Sequence, residues 1–170
     1  MADLRIKRTK RATHMALEQL LLNKNYHDLK IKDLVDAALI NRNTFYLHYR
    51  NLNDVLNEVV VEVLARQSAS ITAEQFSQQP FNLFYQLWTN LTPTEHQILR
   101  HQQADPGFES IIIRMIMQQI LIMYPDDSNV WFAFGKVTAI IAWMSVHHQN
   151  WHIDTDAQQL QMMYDQQKLV

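Results

Sequence analysis

Five side chains between positions 42 and 48, namely Arg42, Asn43, Thr44, Tyr46 and His48, offer chemistry that suits duplex DNA. An arginine can donate two parallel hydrogen bonds to O6 and N7 of guanine, and an asparagine can pair with N6 and N7 of adenine. Thr44 fits a thymine methyl or a phosphate oxygen. Tyr46, His48 and the nearby Lys32 have the reach for phosphate contact, which positions a protein without reading bases. A basic run, Arg5, Lys7, Arg8, Lys10 and Arg11, adds cations for a flanking phosphate or a minor groove. Of that run, Arg5, Lys7 and Arg8 join the candidate contact set.

These residues need a particular scaffold. Residues 31–56 read as a short helix, a tight turn, a second short helix and the start of a third. Ile31, Leu34, Val35 and Ala38 fall at the i, i+3, i+4, i+7 spacing of a core-facing stripe. Asn41 is a suitable N-cap for the second short helix, and Asn51 for the next, with Asp54 favouring its positive end. Phe45 and Tyr49 share one face, leaving the polar residues outside. In a helix-turn-helix the second helix enters the major groove while the first crosses the backbone. A longer helix, about Leu4 to Asn23, precedes them, with Ala12, Met15, Ala16, Gln19 and Leu20 near one stripe and Leu17, Leu21 and Leu22 widening it.

Charge is divided unevenly. Residues 1–50 carry ten Lys/Arg against five Asp/Glu, whereas the other 120 carry five against twelve. A basic head on an acidic remainder fits an anionic polymer bound at one end. The chain has no cysteine, which excludes disulfides, thiolate zinc sites and cysteine nucleophiles. Its two glycines cannot form a phosphate-cradling loop. His147, His148 and His152 lie near a loop that breaks helical register, so no metal site is expected. No catalytic spacing stands out, so neither an enzyme nor a cofactor is expected. The charged N-terminus lacks the apolar core of a signal peptide, and a cytoplasmic location is expected.

Scarcity of helix breakers predicts an all-α fold of about nine helices, with a three-helix head over 1–50 and a connector plus helical body over 51–170. Residues 67–80 read as a looser connection. Helices are expected over 81–91, from Thr92-Pro93 onward, over 108–124, from Ser128 to His148 and from Thr155 to Lys168. Residues 130–146 are apolar nearly all round. The run is short for a bilayer and contains Lys136, so no membrane span is expected. Such a helix must be covered on more than one side. A second subunit is the expected cover, with Gly135, Ala139 and Ala142 allowing close approach and Leu160, Met163 and Tyr164 extending the face on the last helix. Phe84, Trp88, Met115, Gln119, Met123, Trp131 and Trp143 could wall a pocket for a small apolar or aromatic effector, or could fill an ordinary core.

The order Ile31, Asp33-Leu34, Ala38, Ile40-Asn41, Thr44-Phe45-Tyr46, His48-Tyr49 and Val55-Leu56 resembles the tetracycline-repressor (TetR) family, in particular its compact Gram-positive-type members. The resemblance covers about 50 residues, and the body matches more loosely through Trp143. It implies a homodimer whose paired recognition helices bind a palindromic operator, released when an effector enters the body. It also implies that Tyr46 and His48 lie near phosphates and that the protein is a repressor. The alternatives are a helical protein-interaction module, or a regulator controlled by a partner protein. Two residues depart from the family pattern. Leu39 stands where a glycine usually serves a positive φ, which implies about 1–2 kcal/mol of strain or an altered turn. Leu52 replaces a common phosphate-facing lysine.

Overall fold

The computed structural model describes residues 2–105 and 107–169, and among these there are ten α-helices and no strand. They are α1 (Ala2–Leu21), α2 (Ile31–Ala37), α3 (Arg42–Tyr46), α4 (Leu52–Arg66), α5 (Ala73–Gln78), α6 (Pro80–Thr89), α7 (Pro93–Gln102), α8 (Phe108–Met123), α9 (Ser128–Val146) and α10 (Ile153–Gln166). The all-α class with about nine helices is therefore correct. The chain divides into two compact units: residues 1–62 with 93–106, and residues 63–92 with 107–170.

In the first unit, Leu34, Val35 and Ala38 of the α2 stripe are buried, as are Phe45, Tyr49, Val55 and Leu56. The inward face of α1 is turned from the expected one. Thr13, His14, Ala16, Leu17 and Leu21 are buried, whereas Met15 and Gln19 are exposed. The apolar pattern of α1 is broad enough to permit either setting, and the observed one places His14 against the carboxylates of Glu58 and Glu62.

The α2–α3 turn is closed by two backbone bonds, Leu39 N–H to Asp36 C=O (3.3 Å) and Ile40 N–H to Val35 C=O (3.1 Å). This is the Schellman arrangement, which needs a left-handed residue after the helix end. Leu39 supplies it, with φ of 53°, and is 93% exposed. The turn keeps the glycine-type conformation and carries the strain of a side chain there.

Residues far along the chain complete this unit. Gln102, fully buried on α7, accepts from Tyr26 N–H (2.8 Å) and donates to the carbonyls of Leu21 (2.8 Å) and Lys24 (2.9 Å). Asp105 accepts from His27 N–H (2.9 Å) and pairs with the His27 ring. One amide and one carboxylate thus satisfy the polar groups left open where α1 ends. Lys24 also pairs with Asp33 (2.7 Å), whose carboxyl is held below its usual range by the hydrogen bonds from Lys24 and Lys30 N–H.

In the second unit, residues 73–78 are a helix rather than a loose connection. Thr72 caps it by accepting from Gln75 N–H (3.1 Å), and its single large apolar residue, Phe76, is fully buried. Phe76, Phe84, Phe81 and Tyr164 form a chain of ring contacts with centroids 5.9–6.5 Å apart. The amide of Gln161 on α10 accepts from Phe81 N–H (3.1 Å) and Asn82 N–H (3.4 Å), and donates to Gln78 C=O (3.2 Å) and to Asp165 (2.8 Å). It caps the start of α6 and the end of α5 together.

Candidate nucleic-acid interface

Helix α3 is only five residues long, so its caps matter. Asn41 Oδ1 accepts from Asn43 N–H (2.8 Å), as its N-cap role requires, and Leu47 N–H closes the far end on Asn43 C=O (3.1 Å). Phe45 and Tyr49 face inward, with ring centroids 5.5 Å apart. On the other side Arg42, Asn43, Tyr46 and Leu47 are exposed, and Thr44 and His48 are half-buried. The Arg42 guanidinium lies over the Tyr46 ring, 5.6 Å from its centroid and 3.3 Å from Oη. That contact ties the guanidinium to the Tyr46 side chain one turn along. Lys32 on α2 and Arg5, Lys7 and Arg8 on the first turns of α1 are also exposed.

A polar cluster inside the same unit fastens Tyr49, three residues beyond α3. Tyr49 Oη donates to Glu58 Oε2 (2.9 Å), Lys10 Nζ donates to Glu58 Oε1 (2.5 Å), and His14 lies between two carboxylates. Its Nε2 is 3.1 Å from Glu58 and its Nδ1 is 3.2 Å from Glu62. The cluster ties α1, Tyr49 beyond the end of α3, and α4. Burial raises the Glu58 carboxyl, but the hydrogen bonds from Lys10, Tyr49 and His14 outweigh it, and the net shift is downward. Burial, then the Glu58 hydrogen bond and the negative charge of Glu58 and Glu62, push the Tyr49 phenol well up. None of this follows from local sequence, because Glu58 and Glu62 look like an ordinary solvated face of α4. Lys10, one of the basic run, is turned to Glu58 rather than left outward. The capping of α4 is local: Asn51 accepts from Asp54 N–H (3.1 Å), and Asp54 accepts from Arg50 N–H (2.7 Å).

The other candidates lie in the second unit. Gly135, Ala139 and Ala142 are exposed on α9. With Phe132 (74% exposed) and Val146 (73%) they form a stripe with alternating steps of three and four residues, the spacing of a helix–helix seam. Leu160, Met163 and Tyr164 do not extend that surface. They are buried within the unit, where α10 packs on α6, so their apolar face is already covered by the chain's own core. Periodicity shows that a helix has an apolar face, but not what covers it.

The proposed pocket residues are dispersed in exposure. Phe84 and Met115 are buried, Trp88, Gln119 and Trp143 are half-buried, and Met123 and Trp131 are exposed. Phe84 belongs to the packed ring chain rather than to a cavity wall. Trp143 stacks on His147 (4.3 Å between centroids), and Trp88 stacks on Tyr85 (6.0 Å). Of the seven, Trp131 lines an open surface depression of about 390 Å³ with Pro125, Asp126, Ser128 and Phe132. Among the described residues no group of three or more His, Cys, Asp or Glu is placed to hold a metal ion. Helix α9 is the one described helix long and apolar enough to cross a membrane, by length and composition alone.

Comparison with protein-family models, with curated proteins and with solved structures finds no match to this chain.

Proposed function

We propose that this chain is a homodimeric DNA-binding transcriptional regulator of TetR-like design, acting in the cytoplasm, most naturally as a repressor. The observation that carries the reading is the division of α3. An aromatic seam, Phe45 and Tyr49, is buried, and Arg42, Asn43, Tyr46 and Leu47 on the opposite side are open to a partner. The surplus of cations in the first fifty residues gives that partner its charge. Arg42 and Asn43 read base edges, Thr44 contacts a thymine methyl or a phosphate, and Tyr46, His48, Lys32, Arg5, Lys7 and Arg8 hold the phosphate backbone. A two-fold pair joined along the α9 stripe presents two copies of α3 to a palindromic site. The same stripe argues against a bilayer as the cover of α9, because Lys136 is exposed at mid-helix and the small residues suit a close helix partner.

Operator release follows from any ligand that binds one arrangement of the body better than the other. A partner protein seated on Trp131, beside the α9 stripe, is a second route, favoured by the exposure of that ring where the other pocket candidates are scattered. A mobility-shift titration against promoter DNA over a range of salt tests the core reading. The expected result is a steep fall in affinity with salt and a preferred sequence. No binding at low salt overturns it.

A further inference from the structure

At roughly 100° per residue, position 47 lies about 180° round the helix from the midpoint of Phe45 and Tyr49. Leu47 keeps helical dihedrals (φ −70°, ψ −20°), and Tyr49 N–H still bonds to Phe45 C=O (2.9 Å), so the estimate holds through this turn. The outermost point of this turn is therefore the leucine that caps α3, 80% exposed, with Asn43 one turn before it on the same face. Burying an aliphatic side chain at the centre of a polar surface is favourable only against another apolar group. In the major groove a base pair offers one such group, the 5-methyl of thymine. The exposed cations Arg5, Arg8, Lys32 and Arg42 of the same unit select a polyanion over a protein as the occupant.

We propose that Leu47 reads thymine by packing on its 5-methyl group, beside the base hydrogen-bonded by Asn43. This rests on the DNA-binding reading above and adds a specificity that charge and hydrogen bonding do not supply. Each half-site then carries a thymine next to the adenine chosen by Asn43.

The test uses the full chain and duplexes enriched from a randomised pool. Each thymine of the enriched duplex is replaced in turn by uracil, which pairs identically but lacks the methyl. Replacement at one position per half-site is expected to weaken binding about fourfold, the value of one methyl-sized contact. At the position that Leu47 reads, Leu47→Ala is expected to bind the thymine and uracil duplexes equally. The side chain is outside the core, so the variant should fold normally, and circular dichroism checks this. If uracil costs nothing at any position, or Leu47→Ala keeps the full discrimination, the assignment of Leu47 is overturned while DNA binding stands. If no duplex is enriched, the DNA-binding reading falls and this inference falls with it.

Discussion

Inside, the two units are closed in the same way: Gln102 in the first and Gln161 in the second each use one buried amide to satisfy helix-end N–H and C=O groups from separate segments. Outside, they are built by opposite rules. The open face of α3 is polar and cationic around a single leucine, whereas that of α9 is Phe132, Gly135, Ala139, Ala142 and Val146. A polar face stays well hydrated until a charged partner displaces the water. An apolar stripe loses nothing on leaving water and gains roughly 25 cal/mol for each Å² covered. One face is thus suited to a reversible, salt-sensitive contact and the other to a standing association. The contrast shows that a shared way of closing helix ends says nothing about what a unit binds.

Substitutions on each side can break that contrast. Phe132→Glu should have the largest effect, since two uncompensated charges would enter the proposed subunit interface, at about 3–5 kcal/mol. Sedimentation velocity should show a dimer become a monomer. A monomeric unaltered chain, or an undisturbed dimer in the variant, would remove α9 as the seam. Gln102→Ala should follow at about 2–4 kcal/mol, because it strands Tyr26 N–H and two carbonyls in the core. Denaturant unfolding measures it, and a loss below half of that would show the groups are rehydrated cheaply. Arg42→Ala should weaken specific DNA binding by about 1–3 kcal/mol and relax base choice, with unfolding unchanged. An equal loss on every sequence would reassign Arg42 to phosphate.

Two smaller effects sharpen the account of the first unit. Leu39→Gly relieves a left-handed leucine that packs on nothing, and should raise stability by about 1 kcal/mol. A lower melting temperature would contradict it. Acid should destabilise the unit through Glu58. Its folded pKa lies below the unfolded value, so the stability it lends is present above the ordinary glutamate range near 4.3 and is lost as pH falls through the folded value. Glu58→Gln should flatten that part of the acid limb. An unchanged pH profile would show that Lys10 and Tyr49 make no net difference to the charge on Glu58.

What the sequence conveys is set by distance along the chain. The caps Asn41 and Asn51, the buried pair Phe45 and Tyr49, and the left-handed turn at Leu39 are local, and each is readable from a few neighbouring residues. Helix α5 escapes because six residues with one large apolar side chain carry no period, although Thr72 and Gln75 have the spacing of a capping pair. Leu160, Met163 and Tyr164 are assigned to the wrong cover for a related reason, since periodicity cannot distinguish α6 from a second subunit. The setting of Tyr49 by Lys10, His14, Glu58 and Glu62 depends on three segments meeting, and no single window contains them.

Gln102 and Asp105 have a consequence for how the chain is made. Helices α1 to α3, the last carrying Arg42, leave the ribosome well before the amide and carboxylate that fasten the end of α1. Until α7 has been synthesised, the end of α1 waits unfastened, and a fragment cut after residue 62 would wait indefinitely. The smallest excised piece that keeps this corner must carry residues 93–105 along with the first 62.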